Sequence, residues 1–276
     1  MKTYKIKAPA KINLTLEVLN KREDGFHNIQ SIMHTISLYD ILTFEVETSP
    51  QKEISLSGNN NEIPYDERNL VHKACVEFLK EANINNANIK CYIEKNIPIA
   101  AGLAGGSSDA AATLRALNII YDNILSEEKL NQICAKLGSD LNFVLKGGCA
   151  LCTSRGEITE PLPKAKSYVS LVKPKNLGIS AKEAYQKCTQ RGYKQGLDNT
   201  HKLKKLIEEN KFDTSLITND LEKALVEDYE LFKFIKQNIP NSVMSGSGST
   251  FFVMEKQLPC KFDTELFDVF EGLELV

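Results

Sequence analysis

The sequence predicts an α+β fold on three observations. Polar and apolar residues alternate near the start, amphipathic helical runs follow, and strands and helices never settle into the steady alternation of a doubly wound sheet. At 276 residues the chain is as long as those that split into two cores, so two lobes are expected: one to about residue 160 and a second over 161–276.

Ile12, Leu14, Leu16 and Val18 alternate with Lys11, Asn13, Thr15 and Glu17, which predicts a strand with one face in a core. Neighbours on the polar face stand about 6.6 Å apart, so Lys11 and Asn13 can reach one shared site. Pro9 cannot donate to a ladder, and the strand is therefore expected at an edge or interrupted. A polar turn over 20–28 contains Asp24-Gly25, and β-rich sequence runs on to about residue 47. Leu70, Ala74 and Phe78, with Val71 and Cys75, recur at helical spacing over 69–79, and residues 89–93 alternate as a strand. Ala110, Leu114, Leu117 and Ile120 mark a helix after a glycine-rich stretch. Ser126 caps another, carrying Leu130, Ile133, Cys134 and Leu137 and ending at Gly138. Texture changes after Gly156. A strand over 168–172, helices over 181–187, 202–207 and 221–239, and a strand over 250–253 are expected, with 187–201 a polar surface connection. Asn219 and Glu222 form the capping pattern of the 221–239 helix.

Composition excludes several classes. Lys plus Arg number 34 against 36 Asp plus Glu, so a net charge of −2 gives no global electrostatic argument for nucleic acid or anionic membrane as partners, and any anionic ligand must be held locally. No segment approaches the ~20 apolar residues of a membrane span and the start lacks a signal-peptide run, which places the expected location in the cytoplasm. Seven scattered cysteines suit reduced thiols. Cys149 and Cys152 form a CxxC around Ala150 and Leu151, which reads as a buried strand rather than a zinc or redox site.

The stretch Pro98, Ile99, Ala100, Ala101, Gly102, Leu103, Ala104, Gly105, Gly106, Ser107 and Ser108 has the make-up of a phosphate grip. Its glycines let backbone N–H groups converge on an anion, a helix beginning near 107–109 adds the positive end of its dipole, and Ser107 and Ser108 offer hydroxyls to phosphate oxygens or to Mg²⁺. It lacks the Gly-Lys-Ser/Thr of a Walker A loop and the spacing of GxGxxG. On the loop alone, a packing role for the glycines and alanines stays open.

Three segments, in order, decide more: APAKINLTLEVLNKREDGFHNIQSIM, the 98–118 stretch and MSGSGSTFFV. Together they span nearly the whole chain and resemble the GHMP kinase superfamily; Lys-Ile-Asn-Leu and Asp-Gly-Phe-His in the first point to its diphosphocytidyl-alcohol kinases. The resemblance implies a two-lobe GHMP kinase fold: an N-terminal ATP-binding lobe of an architecture shared with a ribosomal protein, and a C-terminal ferredoxin-like lobe on the substrate side. It implies ATP with Mg²⁺ as cofactors, metal ligands unassigned. It implies further that the small-molecule substrate carries a cytidine diphosphate group, that its 2-hydroxyl is phosphorylated on the non-mevalonate route to isoprenoids, and that the enzyme is a monomer or homodimer. Phosphorylating that tertiary hydroxyl needs a base and a nearby cation, and the positions matching the family's pair are Asp140 and Lys11. Asn13 matches a substrate contact, Phe26 and Tyr185 an aromatic sandwich for cytosine, and His27 the reader of its edge; Asn69 and Lys95 match the adenine side. His34, His72 and His201 match nothing. The sequence departs from the family at Phe26, where Tyr is common, at Ala181, where Thr is expected, and at Leu141-Asn142, in place of a hydrophobic-Pro pair. A kinase for homoserine, mevalonate or a sugar would have no use for the cytosine residues. A non-catalytic nucleotide-binding regulator would not need both Lys11 and Asp140. An RNA-binding module would need a basic, aromatic stripe that is not present.

Overall fold

A computed structural model describes residues 1–192 and 198–276. In chain order the elements are β1 (Lys2–Asn13), β2 (Thr15–Lys21), β3 (His27–Thr48), β4 (Glu53–Gly58), α1 (Leu70–Glu81), β5 (Ala87–Glu94), α2 (Gly105–Ile120), α3 (Glu127–Leu137), α4 (Leu141–Lys146), β6 (Cys149–Ser154), β7 (Ile158–Leu162) and β8 (Tyr168–Pro174). Then come α5 (Ala181–Arg191), α6 (Asn199–Glu208), β9 (Thr218–Asn219), α7 (Asp220–Leu225), α8 (Glu230–Asn238), β10 (Val243–Met244), β11 (Phe251–Val253) and β12 (Phe267–Glu274). The α+β expectation holds.

The chain forms two compact units, each discontinuous in sequence. The first comprises Met1–Ala10, Leu38–Pro98 and Ala104–Lys146. In it the second half of β3 runs antiparallel to β5, pairing Leu42 with Ile93, Phe44 with Cys91 and Val46 with Ile89, while β4 pairs parallel with β5. The inward face of that ladder is fully apolar and buried, as are Phe78 of α1 and Leu114 and Leu117 of α2. Asn69 caps α1 by accepting from the Val71 N–H, and Ser126 caps α3 by accepting from Lys129 N–H.

The second unit comprises Lys11–Ser37, Ile99–Leu103 and Gly147–Val276. The first half of β3 pairs antiparallel with β2 and with β6, and β6 pairs with β7. A four-stranded antiparallel sheet in the order β10-β11-β8-β12 is packed by α5, α7 and α8 through Val172, Ala184, Leu221, Phe232, Ile235 and Phe251, the ferredoxin-like part of the fold. Cys149 and Cys152 lie buried on β6, as the apolar residues between them predict.

Several expectations need correction. The stretch around Lys11 is interrupted, as expected, but the break between its two strands falls at Leu14, five residues past Pro9. Its polar face is buried as well: Lys11, Asn13, Thr15 and Glu17 are each at most 3% exposed. The 221–239 run is two helices with a 3₁₀ turn (Val226–Asp228) between them, because the apolar spacing continues through a turn that breaks the backbone pattern. The helix expected to end at 187 reaches Arg191, and the next begins at Asn199 rather than 202, so the connection is shorter than 187–201; its centre lies outside the described residues. The helix after the glycine stretch begins at Gly105, not near 107.

Candidate active site

In the second unit Lys11 closes β1 with its N–H donating to Leu103 O at 3.1 Å, which ties the strand to the glycine-rich stretch. Its ammonium donates to Asn13 Oδ1 at 2.7 Å, and Asn13 Nδ2 donates to Ser31 Oγ at 2.8 Å. Lys11 and Asn13 thus meet as their spacing predicts. The hydroxyl proton of Ser31 goes to Thr15 O, Thr15 Oγ1 accepts from Ile32 N–H at 2.9 Å and from Thr200 Oγ1 at 2.9 Å, and Glu17 accepts from Gln30 and from Asn199 N–H. This string satisfies the buried polar face of β1 and β2, and each bond in it is expected to be strengthened by its neighbours in a poorly solvated interior.

Ala100, Gly102 and Ala104 all take left-handed φ values, of 50°, 74° and 57°. Two of these are not glycine, so the surroundings must hold them there. Gly102 has a steric reason besides: a Cβ on it would stand 2.0 Å from Ser245 O. Ser245 Oγ donates back to Gly102 O at 3.0 Å, and Thr250 N–H donates to Ala101 O at 3.3 Å. The Ser-Gly-Ser-Gly-Ser segment therefore buttresses the glycine-rich stretch directly. It is itself pinned by Asn219, whose Nδ2 donates to Met244 O at 2.6 Å and Gly246 O at 2.8 Å while Oδ1 caps α7 through Leu221 N–H. The sequence shows Asn219 only as a cap; its second task depends on residues some 25 positions later and has no local signal.

His27 and Tyr185 are stacked, with centroids 5.1 Å apart and planes 15° from parallel. His27 Nε2 lies 2.8 Å from Thr189 Oγ1, and the Thr189 hydroxyl proton is directed at Tyr185 O, 2.9 Å away. A hydroxyl has one proton, so His27 Nε2 must be the donor in this pair, which makes Nδ1 an acceptor in the neutral ring. Burial, with Lys21 adding, lowers the His27 pKa and favours that neutral form. Phe26 is 50% exposed, with the Arg155 guanidinium 4.9 Å from its ring centroid. Ser180, directly before Ala181, caps α5 by accepting from Glu183 N–H.

In the first unit Asp140 is half-buried directly before α4, its carbonyl accepting from Val144 N–H. Ser108 is fully buried and donates to Pro9 O at 2.7 Å, which leaves Ser107 as the half-exposed hydroxyl at the start of α2. Asn69 Nδ2 donates to Pro64 O at 2.7 Å, so both ends of its amide serve the start of α1. The Lys95 ammonium sits between the carboxylates of Asp40 and Asp109, in a cluster that sequence spacing did not signal. Of the unmatched histidines, His34 is buried with its pKa lowered to about 4 by burial, and His201 pairs with Asp198 at the surface.

Comparison with known proteins identifies the family. Residues 69–152 match the GHMP kinases N terminal domain. The chain is 39% identical over 255 residues to a 4-diphosphocytidyl-2-C-methyl-D-erythritol kinase of Clostridium perfringens, covering 90% of this chain and 87% of that one. It is 40% identical to the enzyme of the same name from Macrococcus caseolyticus, over 89% of this chain and 88% of the other. A crystal structure of 4-(cytidine 5'-diphospho)-2C-methyl-D-erythritol kinase superposes with a TM-score of 0.79 at 26% identity, covering 99% of this chain and all of that one. A homoserine kinase from Cytophaga hutchinsonii shares the fold, with a TM-score of 0.68 at 18% identity over 93% of this chain and 86% of that one. The chain belongs to the GHMP kinases, in the family of the 4-diphosphocytidyl-2-C-methyl-D-erythritol kinases.

Proposed function

We propose that this chain transfers the γ-phosphoryl group of ATP to the 2-hydroxyl of 4-diphosphocytidyl-2-C-methyl-D-erythritol, as a cytoplasmic enzyme of non-mevalonate isoprenoid synthesis. The observation that carries the reading is the Lys11 ammonium, held on Asn13 Oδ1 while its own N–H is bonded to the glycine-rich stretch at Leu103. A fixed cation on the phosphate grip is what a phosphoryl transfer needs as charge shifts between oxygens.

In the proposed step Asp140 accepts the proton of the alcohol, the alcohol oxygen bonds to the γ-phosphorus, and the bond to the β–γ bridging oxygen breaks to release ADP. The stretch from Pro98 to Ser108 holds the triphosphate through backbone N–H groups and the start of α2. Mg²⁺ bound together with the nucleotide would supply positive charge to offset that of the triphosphate; among the described residues there is no cluster of three or more His, Cys, Asp or Glu to cage a metal. On the substrate side, neutral His27 with Nδ1 as acceptor matches the exocyclic amine of cytosine, and Phe26 and Tyr185 supply faces for its ring. Residues 1–160 would carry the nucleotide and catalytic groups, and 161–276 would complete the substrate side with Tyr185.

A phosphorylation assay across a panel of alcohols tests the reading. Turnover of the diphosphocytidyl alcohol is expected, with homoserine, mevalonate and free sugars inert; equal turnover of homoserine would refute it. Asp140→Asn is expected to retain ATP binding and lose about 10²- to 10⁴-fold in kcat.

A further inference from the structure

The cluster of Asp40, Lys95 and Asp109 has no role in the step above, yet it borders the phosphate grip at both ends. Asp40 Oδ1 accepts from the backbone N–H groups of Asn96 at 2.6 Å and Ile97 at 2.8 Å, the residues directly before Pro98. Asp40 Oδ2 accepts from the Lys95 ammonium, which also donates to Asp109 Oδ2 at 2.8 Å. A Cβ on Gly105, the first residue of α2, would stand 3.2 Å from that ammonium. Glycine there leaves the space the cation occupies. The three side chains are 0–5% exposed, and Asp109 Oδ1 is buried without a hydrogen-bond partner among the described residues.

Two carboxylates and one ammonium leave one uncompensated negative charge if both acids are ionised. That charge would sit in the first turns of α2, whose N-terminal N–H groups favour an anion. It would oppose a triphosphate held by those same groups. A proton on the unpartnered Oδ1 removes the charge and leaves the Lys95 bond to Oδ2 intact. Burial pushes the Asp109 carboxyl up to about 7, with Lys95 opposing and Asp40 adding to the rise. Besides these two, Cys91 of β5 lies within electrostatic range, but burial raises its thiol well above the usual value and keeps it uncharged.

We propose that Asp40, Lys95 and Asp109 are positioning residues that set the charge behind the phosphate grip, and that Asp109 carries a proton when a nucleoside triphosphate is bound. The inference rests on the reading of the chain as an ATP-dependent kinase. Binding of ATP then draws a proton from solvent, and affinity falls as pH rises above the free-state value of Asp109, by at most about tenfold per pH unit.

The test is calorimetric titration of the full chain with MgATP, without the alcohol, in two buffers of different ionisation enthalpy. For a tenfold preference for the protonated form, the wild type is expected to take up about half a proton per ATP near pH 7.5. Asp109→Asn is a neutral mimic of the protonated acid. It is expected to bind ATP at least as tightly with uptake lost, and its KM for ATP is expected to be flat over pH 6.5–8.5 where that of the wild type rises. Asp40→Asn leaves Asp109 as the sole ionic partner of Lys95, so Asp109 stays ionised and uptake is lost there too, which tests the idea by a second route. Equal uptake in the wild type and both variants, or none in the wild type, would overturn the inference while leaving the kinase reading intact. Absence of ATP binding would overturn both.

Discussion

The Thr189 hydroxyl is a small group with a defined task. By giving its one proton to Tyr185 O it can only accept from His27, and so it selects which ring nitrogen carries the proton. Thr189→Val removes the acceptor while keeping the shape. The expected result is a loss of about tenfold in kcat/KM for the cytidine substrate, the value of one hydrogen bond, with KM for ATP unchanged. Imidazole nitrogen shifts in an NMR spectrum should show the tautomers mixing, and Thr189→Ser should restore both. Unaltered shifts in the valine variant would rule the role out. In the sequence Thr189 carried no signal, since it is a lone exposed threonine inside a polar stretch. His27 and Tyr185 were visible only through the resemblance, because nothing in the spacing of residues 27 and 185 says that they touch.

At the scale of elements, the glycine-rich stretch is held from outside as much as from within. A Gly102→Ala side chain would collide with Ser245 O, 2.0 Å away, in a backbone already at φ 74°. Relaxing the clash must move either this stretch or the Ser245–Ser249 segment. The variant is expected to lose about 1–3 kcal/mol of stability, read as a lowered Tm, and to show a raised KM for ATP. An unchanged Tm and KM would mean that the two segments yield without cost. Helices such as α1 and α3 were legible because their caps and apolar spacing are local. The start of α2 was not, since its first turn is glycine and serine with a left-handed Ala104 ahead of it, and alanines bury almost every face of the helix and blur its period. The Asp40–Lys95–Asp109 cluster was invisible for a different reason: Asp40 and Lys95 are 55 positions apart, and a charge in sequence reads as solvated until its burial is known.

At the scale of the whole molecule, sequence order and packing order diverge. Leu16 and Val18 belong to the same buried cluster as Val172, Phe232 and Phe251. Expressed alone, residues 161–276 therefore lack part of their own core, and they are expected to show no cooperative thermal transition; adding back a peptide of residues 11–37 should help only if it restores β2 and the first half of β3. A sharp melt from 161–276 alone would show that those strands are dispensable. Texture and composition suggested a boundary near 160 because they register local change, and they carry no trace of which distant strands share a core.

The pairing of Thr35 with Val276 has a consequence for the order of events during synthesis. Thr35 O accepts from Val276 N–H at 3.0 Å, and Thr35 Oγ1 donates to Val276 O at 2.6 Å. A ribosome adding about 5–20 residues per second leaves residue 35 waiting some ten seconds or more for this partner. Through that interval the early strands of the second unit are made but unfinished, with open ladder groups and an apolar face that nothing yet covers. The emerging chain is thus most exposed to aggregation and to holding chaperones on the early strands that carry Lys11, Asn13 and His27.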